Sequence, residues 1–247
     1  MKNAFLIAAV LVCRLCLPAA AFHPFLTEES GPIGRNVNKT RVLFEHSVSR
    51  NGPDVHTNTL NLEYGYGISD GLDFIAAVPW IRWTSAGASQ SGYGDLELSS
   101  KFYLENGKNR SLALMPGFSL PTGDEEKGLG NGRSQAWLTA IVGIKPGRLH
   151  SFFNVSYLYN DNSGGERKHL LSASVAAAYE LTPGWLPVAE LSVGMNPEKG
   201  DATPPASMLL GFVWEPVPWL DLQLGAKTGI SGPAEGPGLL AGAAVHF

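Results

Sequence analysis

The sequence predicts an all-β fold: an antiparallel transmembrane β-barrel of about twelve strands, with short periplasmic turns and longer external loops. Three observations carry this expectation. Apolar and polar residues alternate with period two along most of the chain. The links between the alternating segments are short and long in turn. The chain opens on an export signal and closes on an aromatic residue at the end of an alternating segment.

The export signal comes first. Lys2 supplies a positive charge, Ala4 to Val12 an apolar core, and Ala19-Ala20-Ala21 a small-residue cleavage site before Phe22. This is the layout of a secretory signal peptide, residues 1–21, with an apolar run too short for a membrane anchor. Cys13 and Cys16, the two cysteines of the chain, both lie within it. Val12 and Leu15 precede them where a lipoprotein acylation site needs a small residue. The mature chain is therefore expected to carry neither disulfides nor thiolate chemistry. The formal net charge of −4 gives no reason to expect nucleic acid as a partner. No later stretch reaches the roughly 18 apolar residues of a transmembrane helix.

The strands follow. In Thr59 to Tyr66 one face reads Leu60, Leu62, Tyr64, Tyr66 and the other Thr59, Asn61, Glu63, Gly65. Asp95 to Leu104 and Leu220 to Lys227 repeat the scheme, with charge confined to one face. Reading breakers between such segments predicts strands at 39–49, 57–68, 72–83, 93–104, 110–120, 134–145, 149–160, 169–181, 185–196, 206–215, 220–229 and 238–247. Their lengths suit a tilted strand crossing a bilayer, which takes about 9–11 residues, and exceed the usual 5–6 of a soluble strand. Short turns fall at 69–71, 105–109, 146–148, 182–184 and 215–219. Longer links fall between them at 50–56, 84–92, 121–133, 161–168, 197–205 and 230–237. Short periplasmic turns and long external loops alternate in this way when both termini lie on the periplasmic side. The final strand ends on Phe247, and a terminal aromatic of this kind is the signal expected for the barrel insertion machinery. Tyr64, Tyr66, Trp80, Trp83, Tyr157, Tyr159, Tyr179, Trp214 and Trp219, near strand ends, are expected to form interfacial girdles.

Apolar faces are expected to meet outer-membrane lipid and lipopolysaccharide, since a charge on the outer wall at mid-bilayer costs about 2–4 kcal/mol. The alternation then turns Arg41, Glu45, Glu63, Asp73, Asp95, Glu97, Lys101, Lys145, Glu180, Glu190, Glu215, Asp221 and Lys227 inward. Of these, Arg41, Glu45, Glu63, Asp95, Glu97, Lys101, Glu180, Glu190, Asp221 and Lys227 are the pore-lining candidates, whereas Asp73 and Glu215 near strand ends are candidates for simple solvation. Eight strands enclose a filled interior and sixteen to eighteen a wide channel. Twelve predicts a narrow lumen. The charges have two readings, pairing across a partly dehydrated interior, or an acidic excess that favours a passing cation or amine-bearing solute.

Two segments outside the predicted strands, and the six histidines, bear on chemistry. The loop Pro121 to Gly132 contains Gly128-x-Gly130-x-Gly132, but a phosphate cradle needs a helix N-terminus behind it, and here a strand follows. Its acids do not match a calcium-loop spacing. It is expected to be an external loop, with a constriction folded into the lumen or a metal site as the alternatives. The segment 22–38 is too rich in Pro and Gly for a membrane strand and is expected to form an ordered periplasmic arm or partial plug, with a flexible tail as the alternative. None of His23, His46, His56, His150, His169 and His246 has an evident nucleophilic partner, and no Gly-x-Ser-x-Gly elbow occurs. No enzyme and no cofactor are expected; a lipid hydrolase, needing a Ser/His pair on the outer wall, is the remote alternative.

The opening His23-Pro24-Phe25-Leu26-Thr27-Glu28, followed by Gly34, resembles the mature N-terminus of outer-membrane proteins of the phenol-degradation MetA-pathway family. So do Glu63 to Asp73, Tyr93-Gly94-Asp95-Leu96, and Leu120-Pro121-Thr122-Gly123 with Lys127-Gly128-Leu129-Gly130. The resemblance spans nearly the whole mature chain. It implies a barrel that assists small-molecule passage and carries over no catalytic residues. From the residues themselves, the expected function is passive passage of a small polar or cationic solute through a narrow monomeric barrel. A closed barrel that binds an envelope or extracellular partner through its loops is the alternative.

Overall fold

Antiparallel pairing joins every pair of neighbouring strands, and the first strand meets the last, so that the wall closes on itself. This computed structural model describes residues 27–49, 54–85, 87–161, 165–232 and 236–247. The expected signal peptide and residues 22–26 of the arm lie outside the described residues. The strands are β1 (Asn38–Val48), β2 (Val55–Ser69), β3 (Leu72–Ser85), β4 (Ala88–Tyr93), β5 (Leu96–Asn106), β6 (Arg110–Leu120), β7 (Gln135–Ile144), β8 (Leu149–Asn160), β9 (His169–Tyr179), β10 (Trp185–Gly194), β11 (Ala206–Val217), β12 (Leu220–Gly229) and β13 (Gly238–His246).

These thirteen strands make twelve staves, because β4 and β5 both pair with β3 and together form one interrupted stave. The interruption has a cause in Pro79. It lacks an N–H for the ladder, and the β3 pairing passes from Ala77↔Glu97 to Trp80↔Tyr93 across it. The carbonyl of Pro79 still accepts from the Gly94 N–H at 2.8 Å.

The link expected as a loop at 84–92 is instead the tip of a hairpin. β3 runs to Ser85 and β4 begins at Ala88, with Arg82 opposite Ser91 and Trp83 opposite Gln90. A polar strand that rises beyond the bilayer has no lipid-facing side to keep apolar, so it loses the alternation by which membrane strands are read.

The outer wall is apolar. Phe44, Leu62, Leu138, Phe153, Val155, Leu191, Leu210 and Leu224 all point away from the lumen. Near the periplasmic rim Trp185 packs against Phe212 and Trp214, with ring centroids 4.8 and 5.4 Å apart, as amphipathic rings do at a membrane interface.

The inner face is not uniformly polar. Phe152, Ala178, Leu186, Val188 and Val213 form one buried apolar cluster. Ile75, Ala113, Met115 and Ile141, flanked by Tyr103, form another. All sit on inward positions of their strands. The periplasmic half of this narrow lumen is thus packed as a core, with the arm as part of its filling.

Local backbone geometry sends the arm inward. Gly34 (φ 104°) and Asn36 (φ 60°) both have positive φ, a region open to Gly and tolerated by Asn. They reverse the chain at the periplasmic rim, where Asn36 N–H donates to Gly67 O at 2.8 Å and Gly67 N–H to Val37 O at 3.0 Å. The preceding residues, Thr27 to Ile33, therefore run back up into the barrel. Two glycines on the wall make room for them: a Cβ at Gly143 would collide with the Ser30 side chain and one at Gly65 with Ile33.

Candidate functional site

Each turn of the arm meets a strand residue that the alternation had aimed inward. Ile33 N–H donates to Asp73 Oδ2 at 2.9 Å. The Tyr103 hydroxyl lies between Asp73 Oδ2 at 2.5 Å and the carbonyl of Gly31 at 2.9 Å. Ser30 and Ser111 share a hydroxyl contact. The Lys101 ammonium donates to Glu28 Oε2 and to Glu29 O, both at 3.0 Å, and Lys39 pairs with Glu29 at 3.4 Å. Asn154 brackets the backbone of Glu28, in the amide orientation that satisfies its N–H and its carbonyl together. At the deep end Thr27 N–H donates to Glu190 Oε2 at 3.4 Å, and its hydroxyl donates to Ser174 at 2.8 Å. The described arm lies within the lumen.

Above it, toward the external side, a cavity of about 830 Å³ opens. Its wall is rich in hydroxyls, with Ser156, Ser172, Ser174, Ser192 and Ser207 on one side and Thr57 and Thr59 on the other. Glu45, Glu97 and Lys227 also line it, as do Met115 and Trp137, and Glu28 of the arm reaches its floor.

The ten candidates part company here. Glu45, Glu97 and Lys227 line the cavity, and Lys227 crosses Gly238 to form an ion pair with Glu45. Arg41 pairs with Glu63, its partner in the β1–β2 register. Lys101 and Glu190 hold the arm. Asp221 is buried beside His246, whose Nε2 lies 2.9 Å from Asp221 Oδ2.

Three placements differ from the expectation. Asp95 sits in the break between β4 and β5 and does not line the cavity. Its carboxylate accepts the backbone N–H groups of Gly123 at 2.9 Å and Asn131 at 2.7 Å, so it anchors the loop 121–133. The interruption opposite Pro79 frees it to do so. Glu180 follows β9 in a periplasmic turn, where its N–H donates to Arg148 O. Asp73, expected as a simply solvated end residue, is fully buried and holds the arm.

The loop itself is pinned at the rim. Leu129 is buried and Trp83 Nε1 donates to Lys127 O at 2.8 Å. None of its residues lines the cavity. In this loop Lys127 donates to Asp124, and that hydrogen bond holds the Asp124 carboxyl below the usual range; Lys168 does the same for Asp161 in the loop after β8. Among the described residues no three His, Cys, Asp or Glu side chains gather as a metal site. On the outer wall His169 Nδ1 lies 2.7 Å from the Tyr157 hydroxyl, and His46 bonds Asn58 at 3.0 Å.

Glu28, Glu29, Lys39 and Trp137 escaped the sequence reading. Lys39 did carry a signal, since it shares the parity of Arg41 and Glu45 on β1. Trp137 carried little, because both faces of β7 contain apolar residues.

The family model described as "Putative MetA-pathway of phenol degradation" matches residues 40–246. The chain belongs to this family. A search of curated proteins gave no match. Among solved structures, the COG4313 outer membrane channel from Pseudomonas putida F1 is similar at 19% identity and TM-score 0.73, covering 92% of this chain and 100% of that one. The KdgM porin is similar at 8% identity and TM-score 0.54, covering 84% and 99%. The CymD monoaromatic hydrocarbon channel follows at 9% identity and TM-score 0.51, covering 86% and 88%. These likenesses establish a shared outer-membrane barrel fold. The cargo named in their titles belongs to those proteins, and it differs among them.

Proposed function

We propose that this family member is an outer-membrane channel for passive passage of a small polar or cationic solute, with the N-terminal arm setting its narrowest section. The observation that carries the reading is the hydroxyl-rich external cavity, with Glu45, Glu97 and Lys227 in its wall and Glu28 at its floor. Hydroxyls exchange hydrogen bonds with a polar solute as it sheds water, and the acidic excess favours positive charge. The wall offers little that a hydrocarbon would prefer over its own membrane phase. The barrel acts as a monomer in lipid and lipopolysaccharide, and Phe247, exposed at the end of the closing strand, is the residue its insertion machinery reads.

The test is reconstitution of the mature protein in planar bilayers. Discrete conductance steps with cation preference are expected. Silence from a verified folded barrel would overturn the channel reading. It would favour the second one, a closed barrel that binds a partner through its loops, which the buried pairs around the arm support.

A further inference from the structure

Among the described residues that line the cavity, the face of Trp137 and the carboxylate of Glu97 have no ionic partner. Trp137 on β7 lies opposite Gly117 on β6 in the ladder. Its indole is laid across that glycine: a Cβ built at Gly117 would collide with the ring at Cε2 and Cζ2. The ring thus reaches over β6 toward β5, where Ser99 is the partner of Gly117 and Glu97 lies two residues farther along the same face. Glu97 and Trp137 both line the cavity. Lys227 is taken by Glu45 and Lys101 by Glu28, whereas Glu97 has no ion pair among the described residues, and its charged neighbours are the carboxylates Glu28, Glu63 and Asp95.

We infer that Glu97 and the face of Trp137 form a binding site for an organic ammonium ion within the channel. The inference rests on the channel reading and narrows it from polar or cationic solutes to alkylammonium compounds. An indole face attracts a cation through its quadrupole, most strongly where water is partly excluded. The Glu97 carboxylate on β5, the strand beyond β6, supplies an opposite charge, and the serines across the cavity accept or donate to the rest of the molecule. A small inorganic cation keeps its water and gains nothing from the ring. A neutral polyol gains from the hydroxyls and nothing from Glu97. The alkylammonium group uses both.

The test uses the purified mature protein with choline as probe and sorbitol as the neutral control. Choline is added to the external side of single channels in planar bilayers and, separately, titrated against tryptophan fluorescence in detergent. Saturable block by choline and a saturable fluorescence change are expected, with sorbitol giving neither. Glu97→Gln and Trp137→Leu should each weaken choline binding about tenfold. Gly117→Ala, which displaces the ring while keeping both functional side chains, should weaken it as well. Equal effects of choline and sorbitol, or unchanged choline affinity in Glu97→Gln, would overturn the site. If no conductance is seen, the channel reading fails, and the fluorescence titration alone decides whether the site stands.

Discussion

Lys101→Met is the substitution that most directly questions the role of the arm. Lys101 is buried on the lumen wall and donates two hydrogen bonds to the arm, to Glu28 Oε2 and Glu29 O, each 3.0 Å long. Met fills the same volume without the charge. Removing one partner of a buried ion pair costs about 3–5 kcal/mol, because the other charge is left unpaired. Here the Glu28 side chain is 25% exposed, so water recovers part of that cost and the lower end, about 3 kcal/mol, applies. That figure acts on arm docking and not on barrel folding, since the wall ladder is untouched. It shifts the docked-to-released ratio by roughly a hundredfold. The remaining ties, among them Thr27 to Ser174, Ile33 to Asp73 and Tyr103 to Gly31, contribute only about 1 kcal/mol each. Single-channel recording should show larger or flickering conductance in the variant. Ser30→Cys with Ser111→Cys, whose hydroxyls touch in the native protein, should restore the small conductance on oxidation. Wild-type conductance in Lys101→Met, with an unchanged rate of cross-linking between those cysteines, would refute the arm as the constriction.

Three further outcomes are expected. Gly34→Val places a β-branched residue at φ 104°, where only glycine is at ease; the arm should fail to fold back, and limited proteolysis should cut it while the barrel stays heat-resistant. Glu97→Gln should reduce cation preference in reversal-potential measurements, whereas Asp221→Asn should leave it nearly unchanged, because Asp221 is engaged by His246; equal effects would mean that the open path runs elsewhere. Asp124 and Asp161 are held below the usual carboxylate range by Lys127 and Lys168. A carboxyl lowered in the folded state stabilises above its unfolded value near pH 4 and ceases to do so as pH falls through its folded value. Amide protection factors in residues 121–133, corrected for the intrinsic slowing of exchange in acid, should therefore fall below about pH 4, and Asp124→Asn should flatten that dependence.

How much of this was legible in the sequence follows from where each feature is encoded. Ten or so residues of alternation state which side of a strand meets lipid, because the bilayer presents the same apolar medium to every strand. Strand ends were legible for the same reason: β6, β8 and β12 begin and end where the breakers place them. The hairpin tip at β3–β4 was lost because beyond the bilayer that medium no longer dictates the pattern. Pro79, which splits a stave and releases Asp95 to hold a loop, was visible as a letter but not as a break, since its effect depends on what lies across the ladder.

Alternation and breakers along the chain are enough to specify the wall: its staves, its alternating turns and loops, its outer face and the inward parity of Arg41, Glu63, Glu97 and Lys227. What the lumen contains is settled by contacts between segments far apart in the chain. Which charges meet depends on the closing register of β1 against β13 and on a reversal at Gly34 and Asn36 that brings Glu28 and Glu29 to Lys101 and Lys39. Trp137 became part of the cavity because Gly117, one strand away, leaves space for its ring. Contacts with a uniform solvent are written locally in the chain, whereas contacts across an enclosed space exist only once the enclosure has closed.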